Sequence, residues 1–70
     1  MKLTTAELSH ITHVYAEQEP GDRARYFVNV FQGTSRSTVS EMLSERDALA
    51  LVRAIEKLVL IAKRCEKAIT

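Results

Sequence analysis

Two histidines and one cysteine are the side chains in this sequence with the clearest capacity for chemistry. His10 and His13 are three residues apart, a spacing that places both imidazoles on one face of a helix, where they could ligate a metal ion. On a strand the same side chains point to opposite sides of the sheet. Because no acidic or thiol residue nearby completes a ligand set, we expect no metal site and interpret both as surface or sheet-edge histidines.

The remaining residues give no catalytic or cofactor motif. Cys65 falls on the apolar spacing of the C-terminal segment, so we expect a small core residue and not a reactive thiol. Gly21 and Gly33 stand alone, without the spacing of a phosphate-binding loop. A core this thin leaves little room for a catalytic pocket. We therefore expect a protein that is not an enzyme and takes no cofactor or small-molecule substrate.

Length and composition describe a small folded domain. The chain has 70 residues, of which 46% are hydrophobic and 27% charged, and its formal net charge is +1. These values predict one globular domain over residues 1–70 without a general affinity for nucleic acid. A core this small is often stabilised by a disulfide, a metal ion or a second subunit. Because the chain has one cysteine and we expect no metal site, we expect a homodimer. We find no leader and no bilayer-spanning apolar run, and we expect a cytoplasmic protein without membrane contact.

The clearest secondary structure is a C-terminal helix from Ser44 to about Ile69. Its apolar residues recur every three or four positions, which predicts one buried stripe. Ser44 and Asp47 resemble a capping box, and Lys63 and Arg64 suit the other end of the helix dipole. The predicted stripe consists of Ala48, Leu51, Val52, Ile55, Leu58, Val59, Ala62, Cys65 and Ile69.

Three strands are predicted before this helix. Residues 26–31 are β-branched or aromatic, residues 9–17 precede a turn at Pro20-Gly21, and residues 36–43 alternate in polarity. The predicted fold is therefore α+β, with a three-stranded antiparallel sheet packed on one long C-terminal helix in the order β-β-β-α.

Two alternatives stay open for the ends of these elements. Thr4 and Glu7 could form a capping box for a first helix. Such a helix would carry Leu8, Ile11 and Tyr15 on one side. The final helix could also extend back to Thr38, with Glu41 three residues on.

A first turn centred between Pro20 and Gly21 makes one face of the sheet apolar. This register pairs Ile11 with Val30, His13 with Val28 and Tyr15 with Tyr26, and a second turn near Gly33-Thr34 adds Val39 beside Val28. The helix is expected to pack on this face, whose predicted core residues are Ile11, Tyr15, Tyr26, Val28, Val30, Val39 and Leu43. The opposite face is polar with apolar islands at Val14, Phe27, Phe31 and Met42, and no second layer of chain is predicted to cover it.

This uncovered face is the predicted binding surface. The residues expected to contact a partner are Arg25, Phe27, Asn29, Phe31, Arg36 and Met42. On the helix, Leu49 and Leu60 project away from the stripe, and a helix of about 37 Å overhangs strands of about 27 Å. Leu49 and Leu60 are the predicted dimer contacts.

These features favour a small non-enzymatic interaction protein. We expect it to dimerise and to bind a macromolecule, more readily another protein than nucleic acid, through the open sheet face or the helix. In size and lack of motifs it is similar to small proteins of phages and mobile elements that inhibit a host complex by occupying its surface. That similarity involves no residue match.

A second hypothesis is DNA binding through the sheet. The element order over residues 23–60 resembles the arm-binding domains of tyrosine recombinases and the AP2-type DNA-binding domain. This resemblance implies a sheet in the major groove. The residues it would bring to bases and phosphates are Arg23, Arg25, Asn29, Arg36 and Thr38, with Phe27 and Phe31 for stacking or methyl contacts. The same hairpin also carries three acidic residues, whose negative charge does not fit a DNA-binding surface: Glu17, Glu19 and Asp22.

Overall fold

A sheet and two helices make up the part of the chain that the structure describes. The computed structural model describes residues 4–69, with side chains described as far as Cys65. The elements are α1 (Thr5–Ser9), β1 (His13–Glu19), β2 (Asp22–Gln32), β3 (Ser35–Leu43) and α2 (Glu45–Ile69). The strands form one antiparallel sheet in the order β1-β2-β3. The predicted β-β-β-α arrangement is confirmed, and a short α1 precedes it.

The start of α2 follows from its local sequence. Ser44 Oγ accepts a hydrogen bond from the Asp47 amide at 3.2 Å, and the Ser44 carbonyl accepts one from the Ala48 amide at 2.9 Å. Both bonds satisfy amide groups that the first turn of a helix leaves free. The predicted N-terminal cap and the predicted bounds of this helix are confirmed. The alternative in which the helix extends back to Thr38 is wrong, because Thr38 pairs with Asn29 in the sheet.

The first element combines the two interpretations of the N-terminal segment. Thr4 Oγ1 accepts a hydrogen bond from the Glu7 amide and donates one to Glu7 Oε1, both at 3.2 Å, so Thr4 does cap a first helix. The helix ends at Ser9, however, and β1 begins at His13. The predicted strand over residues 9–17 is therefore wrong in its first four residues, and the helix does not reach Tyr15. β-branched residues at 11, 12 and 14 favour this early change from helix to strand.

The register of β1 against β2 is three residues away from the predicted one. The observed pairs are His13 with Phe31, Val14 with Val30, Tyr15 with Asn29, Ala16 with Val28 and Glu17 with Phe27. The turn itself is as tight as predicted, since Glu19 pairs with Asp22. The register then shifts between Gln18 and Glu19, and residues 23–25 lie between the two paired stretches. A shift by an odd number of residues exchanges the two faces of a strand.

Hydrophobic burial explains this register. The predicted pairing would have placed the His13 imidazole beneath α2, where it would lose contact with water. In the observed pairing Val14 and Ala16 lie on the helix-facing side instead, and both pack against the buried cluster. The predicted positions of Tyr15 in the core and of Val14 on the open face are therefore wrong. Ile11 is buried as predicted, but it precedes β1 and is not paired with Val30.

Two irregularities also change the faces of β3. The register shifts between Tyr26 and Val28 and again between Val28 and Asn29, so that Ser40 and not Val39 is opposite Val28. Val39 still packs against the core, as predicted. Bulges of this kind insert an unpaired residue and increase the local twist of a strand.

The core lies between the sheet and one face of α2. Its buried cluster consists of Ile11, Val28, Val30, Ala48, Ile55 and Val59, with Leu8 of α1 packed against it. Leu58 and Cys65, predicted to belong to the buried stripe, are exposed. A single helix on a sheet buries only the narrow strip that faces the strands, and these two residues lie at its margin. The side chain of Ile69, the last predicted member of the stripe, lies outside the described residues.

Among the described residues, Gly33 and Met42 adopt the left-handed backbone region, and we expect substitutions at these two positions to change stability in opposite directions. Gly33 has φ +66°, with no atom within 4 Å of the position that a Cβ would take, and Met42 has φ +55°. We expect Gly33→Ala to lower the free energy of unfolding by about 1–2 kcal/mol through backbone strain, and Met42→Gly to raise it by about 0.5–1 kcal/mol. Urea unfolding of both variants measures these changes. If the two substitutions changed the free energy of unfolding in the same direction, backbone strain would not explain their effects.

Candidate functional site

The face of the sheet opposite α2 is the main candidate site, and we call it the open face. Its residues form rows across the strands: His13, Phe31 and Arg36 in the first, Tyr15, Asn29 and Thr38 in the second, and Glu17 with Phe27 in the third. Within residues 4–69 no helix or strand packs on this face, since α2 covers the other one and α1 packs against α2.

Three rings stack on one half of the open face. The centroid of Tyr15 lies 5.6 Å from that of His13 and 5.7 Å from that of Phe31, while His13 and Phe31 are 6.2 Å apart. The ring planes are within 25° of one another. Such offset pairs contribute about 0.5–1.5 kcal/mol each beyond their burial. Because Tyr15 and Phe31 are only half-buried and His13 is exposed, the stack presents a flat and partly apolar surface to solvent.

Asn29 lies at the centre of the open face and is only 4% exposed. Its Nδ2 donates a hydrogen bond to the Tyr15 hydroxyl at 3.0 Å. Its Oδ1 is buried and has no hydrogen-bond partner among the described residues. A buried acceptor without a donor costs about 1–3 kcal/mol, and asparagine is disfavoured within strands. The buried Oδ1 therefore lowers folding stability, and the hydrogen bond from Nδ2 to Tyr15 offsets that cost only in part.

A hollow of about 290 Å³ occupies the other half of the open face. It is lined by Glu19, Phe27, Asn29, Arg36, Thr38 and Glu41. The lining thus combines two carboxylates and one guanidinium with an aromatic ring and an amide. A surface of this composition can accept a group that carries both hydrogen-bond donors and apolar atoms.

The structure places four of the six predicted partner-binding residues together. Phe27, Asn29, Phe31 and Arg36 all lie on the open face. Arg25 is exposed in the stretch between the two paired parts of β2, and Met42 is exposed at the irregular end of β3. A role in binding stays a prediction for all six.

Sequence reasoning missed the contribution of β1 to this face. Tyr15 was assigned to the core and His13 was paired on the helix-facing side of the sheet, although both form the ring stack with Phe31. The hydrophobicity of the two possible faces of β1 could have predicted which face packs on the helix. One face offers Val14 and Ala16 to the helix, and the other would bury an imidazole.

The two predicted dimer contacts are both exposed on α2. Leu60 lines a groove of about 250 Å³ between α2 and the residues at the start of β1. The charged residues in this groove are Glu56 and Lys63. Exposure of Leu49 and Leu60 agrees with the sequence analysis, while their role in self-association stays a prediction.

The residues with potential chemistry are dispersed. His10 follows the last turn of α1, His13 belongs to the ring stack, and Cys65 is exposed on α2. Among the residues described here, no three His, Cys, Asp or Glu side chains are placed to hold a metal ion. Over the same part of the chain, no helix combines the length and the apolar character needed to cross a membrane.

Comparison with known proteins gives no relative for this chain. No protein-family model matches it, and it has no significant match among the curated proteins or the solved structures. Its function is therefore inferred from its own residues.

Proposed function

We propose that this chain is a small non-enzymatic interaction protein that binds another protein through the open face and self-associates through α2. The observation that carries this proposal is the central Asn29, buried with an unpartnered Oδ1 beside a ring stack that no other described element covers. A surface that keeps a destabilising buried polar group and leaves aromatic rings partly exposed to solvent is typical of a recognition site.

The composition of the open face supports a protein partner. Tyrosine, phenylalanine and arginine are enriched at the centres of protein interfaces, where a few such residues carry most of the binding energy. Tyr15, Phe27, Phe31 and Arg36 supply these residue types within one face. Binding of this kind acts by occupying the surface of the partner, which is how an inhibitor of a larger complex would work.

The carboxylates of the same face argue against DNA as the partner. Glu17 pairs with Phe27 across the strands, and Glu19 and Glu41 line the hollow beside Arg36. These groups would repel the phosphate backbone, whose attraction to basic side chains supplies most non-specific affinity for DNA. A protein surface can instead meet carboxylates with lysine or arginine side chains.

Matched affinity baits test the proposal. The whole chain, Phe27→Ser/Phe31→Ser and Leu49→Ser/Leu60→Ser are immobilised and exposed to an extract of the native host. We expect a protein retained by the wild type and the helix variant to be retained at least about tenfold less by the sheet variant, because interface aromatics typically contribute more than 1 kcal/mol each. Equal retention by all three baits would overturn the proposal.

Two further measurements complete this test. Both phenylalanines are half-buried, so Arg36→Glu, which changes an exposed side chain, is included to separate lost binding from lost folding. A gel-shift assay with random duplex DNA is run at about 50 and 200 mM salt. A gel shift that weakens with salt and is lost in Arg36→Glu would show that the open face binds DNA, and it would overturn the proposal of a protein partner.

A further inference from the structure

The hollow of the open face contains Asn29 in its lining, and we call it the Asn29 hollow. Asn29 is 4% exposed, and its Nδ2 already donates to the Tyr15 hydroxyl at 3.0 Å. Its Oδ1 has no hydrogen-bond partner among the described residues. An amide oxygen only accepts hydrogen bonds, so a group that satisfies it must be a donor. The buried acceptor therefore indicates a ligand that carries donor groups.

Carboxylates surround the end of the Asn29 hollow that contains Phe27. Glu17 is paired with Phe27 on β1, and Glu19 follows two residues later on the same strand. Glu41 belongs to β3, which borders β2 on the other side, and it lines the hollow together with Glu19. Acidic side chains from both neighbouring strands thus lie around one aromatic ring, and this end of the hollow attracts a cation.

The guanidinium of the lining belongs to the other end of the hollow. Arg36 is paired with Phe31, which lies four residues from Phe27 along β2, a distance of about 13 Å. Two carboxylates and one guanidinium give the lining a formal charge of −1. The positive and negative ends of the hollow are therefore separated along the strand.

The carboxylates of the lining are not already bound by a basic side chain of this chain. Among the described residues, Arg36 donates no side-chain hydrogen bond, and neither Glu19 nor Glu41 accepts one. Arg23 and Arg25 of the same hairpin are exposed and do not line the hollow. Both carboxylates can therefore accept hydrogen bonds from a ligand.

Phe27 gives the Asn29 hollow an apolar wall. Its ring is only half-buried, and an accessible aromatic ring attracts a cation, most effectively a planar guanidinium that can stack on it. The volume of about 290 Å³ is just below the range of about 300–1,000 Å³ that is typical of sites for small molecules. The space suits a single side chain.

We propose that the Asn29 hollow binds the guanidinium of an arginine side chain of the protein partner. This inference deepens the proposed function by naming the group that the open face recognises, and it rests on that function. The guanidinium stacks on the Phe27 ring and donates hydrogen bonds to the carboxylates of Glu19 and Glu41. One further N–H group donates to Asn29 Oδ1.

Access to Oδ1 requires a small rearrangement of the lining, because this atom is covered in the unbound chain. Thr38, which is paired with Asn29, and Arg36 are both exposed, and both line the hollow. Exposed side chains change rotamer within nanoseconds, so their rotation admits the donor without a change of the backbone.

Arginine fits this lining better than lysine. Its five N–H donors form a planar fork that can reach two carboxylates and an amide oxygen at the same time, whereas lysine carries three donors on one atom. The guanidinium is also more weakly hydrated than an ammonium group, so it loses less hydration on entering the hollow. A neutral donor would leave the carboxylates without a counter-charge.

Three matched peptides test this inference. The whole isotope-labelled chain is titrated with acetyl-glycyl-arginyl-glycine amide and with the same peptide carrying lysine or citrulline, and the side-chain amide of Asn29 is followed by NMR. We expect the arginine peptide to shift this amide with a Kd of roughly 1–10 mM, since one side chain supplies a small part of an interface. Lysine lacks the planar fork and citrulline lacks the charge, so both peptides should bind at least about fivefold more weakly.

Two charge-matched double variants locate the binding. Glu19→Gln/Glu41→Gln removes both carboxylates of the lining and should raise the Kd of the arginine peptide at least about fivefold. Glu45→Gln/Glu56→Gln removes two exposed carboxylates of α2, changes the net charge equally and should leave the Kd unchanged. The spectra of both variants also report whether the fold is retained. Equal effects would show a general attraction of cations and overturn the arginine site.

The outcomes separate this inference from the proposed function. An Asn29 amide that none of the peptides shifts at about 50 mM would overturn the arginine site, and so would equal binding of all three peptides. In either case a protein retained through Phe27 and Phe31 would leave the proposed function standing. Selective binding of the arginine peptide by a chain whose baits retain no protein would support the guanidinium site and overturn the protein partner.

Discussion

Replacement of Ile55 by alanine is expected to lower the free energy of unfolding by about 2–5 kcal/mol. Ile55 is 3% exposed and belongs to the cluster between α2 and the sheet. The substitution removes buried methyl and methylene groups and leaves a cavity that a closely packed interior fills only in part. A domain of 70 residues has a total stability of roughly 4–10 kcal/mol, so this one change removes a large fraction of it.

Urea unfolding followed by circular dichroism measures this effect. Leu49→Ala on the same helix is the matched control, because Leu49 is half exposed and alanine has the higher helix propensity. We expect the control to change stability by less than about 1 kcal/mol. Similar losses in both variants would show that α2 does not pack on the sheet through the Ile55 side.

Asn29→Val is expected to raise stability by about 1 kcal/mol and to abolish binding by the open face. The substitution removes the buried Oδ1 that has no donor and introduces a residue with higher strand propensity. The variant also loses the hydrogen bond from Asn29 to Tyr15. This loss offsets only part of the gain in stability, because the half-buried Tyr15 hydroxyl can bond to water instead. In a domain of this size about 1 kcal/mol corresponds to an increase in Tm of roughly 4–8 °C.

Tyr15→Phe is the matched variant, with the opposite expected sign. It removes the same hydrogen bond but leaves the whole Asn29 amide buried without a partner, so Tm should fall. Thermal unfolding of the two variants gives the sign of each change, and the affinity assay of the open face gives their binding. A less stable Asn29→Val variant that binds its partner normally would show that Asn29 serves the fold and not recognition.

These opposite signs bear directly on function. A residue selected for stability loses stability when it is replaced, whereas a residue selected for binding often gains it. At the position of Asn29 the two roles therefore predict different measurements. Ile55 provides the reference for a residue that serves the fold alone.

The positions of the helix and the strands could be predicted from the sequence because their signals are local. The Ser44 cap and the three-and-four spacing that follows it act within one helix, and the helix forms at the predicted residues. The turns at Pro20-Gly21 and Gly33-Thr34 likewise depend on neighbouring residues. The part of the candidate site contributed by β2 was predicted for the same reason, since Phe27, Asn29 and Phe31 alternate along one strand.

The register of β1 could not be read from the turn. A tight turn ending at Glu19 and Asp22 predicts one pairing, and the shift beside Gln18 replaces it with another. The free energy of burial against α2 decides between the two pairings. The observed pairing packs Val14 and Ala16 against the core and leaves the His13 imidazole outside it. That energy is a property of two elements far apart in the chain, so the addition of His13 and Tyr15 to the open face followed only from packing.

Local sequence thus determined which residues of this protein become helix and strand and where its turns lie. Tertiary structure decided which side of β1 faces the helix and which residues of α2 remain in solvent. It also decided that Asn29 is buried with no hydrogen-bond partner for its Oδ1 among the described residues. The physical reason is that caps, turns and periodicity act over a few residues, whereas burial depends on the sum of contacts among all the elements that meet in the core.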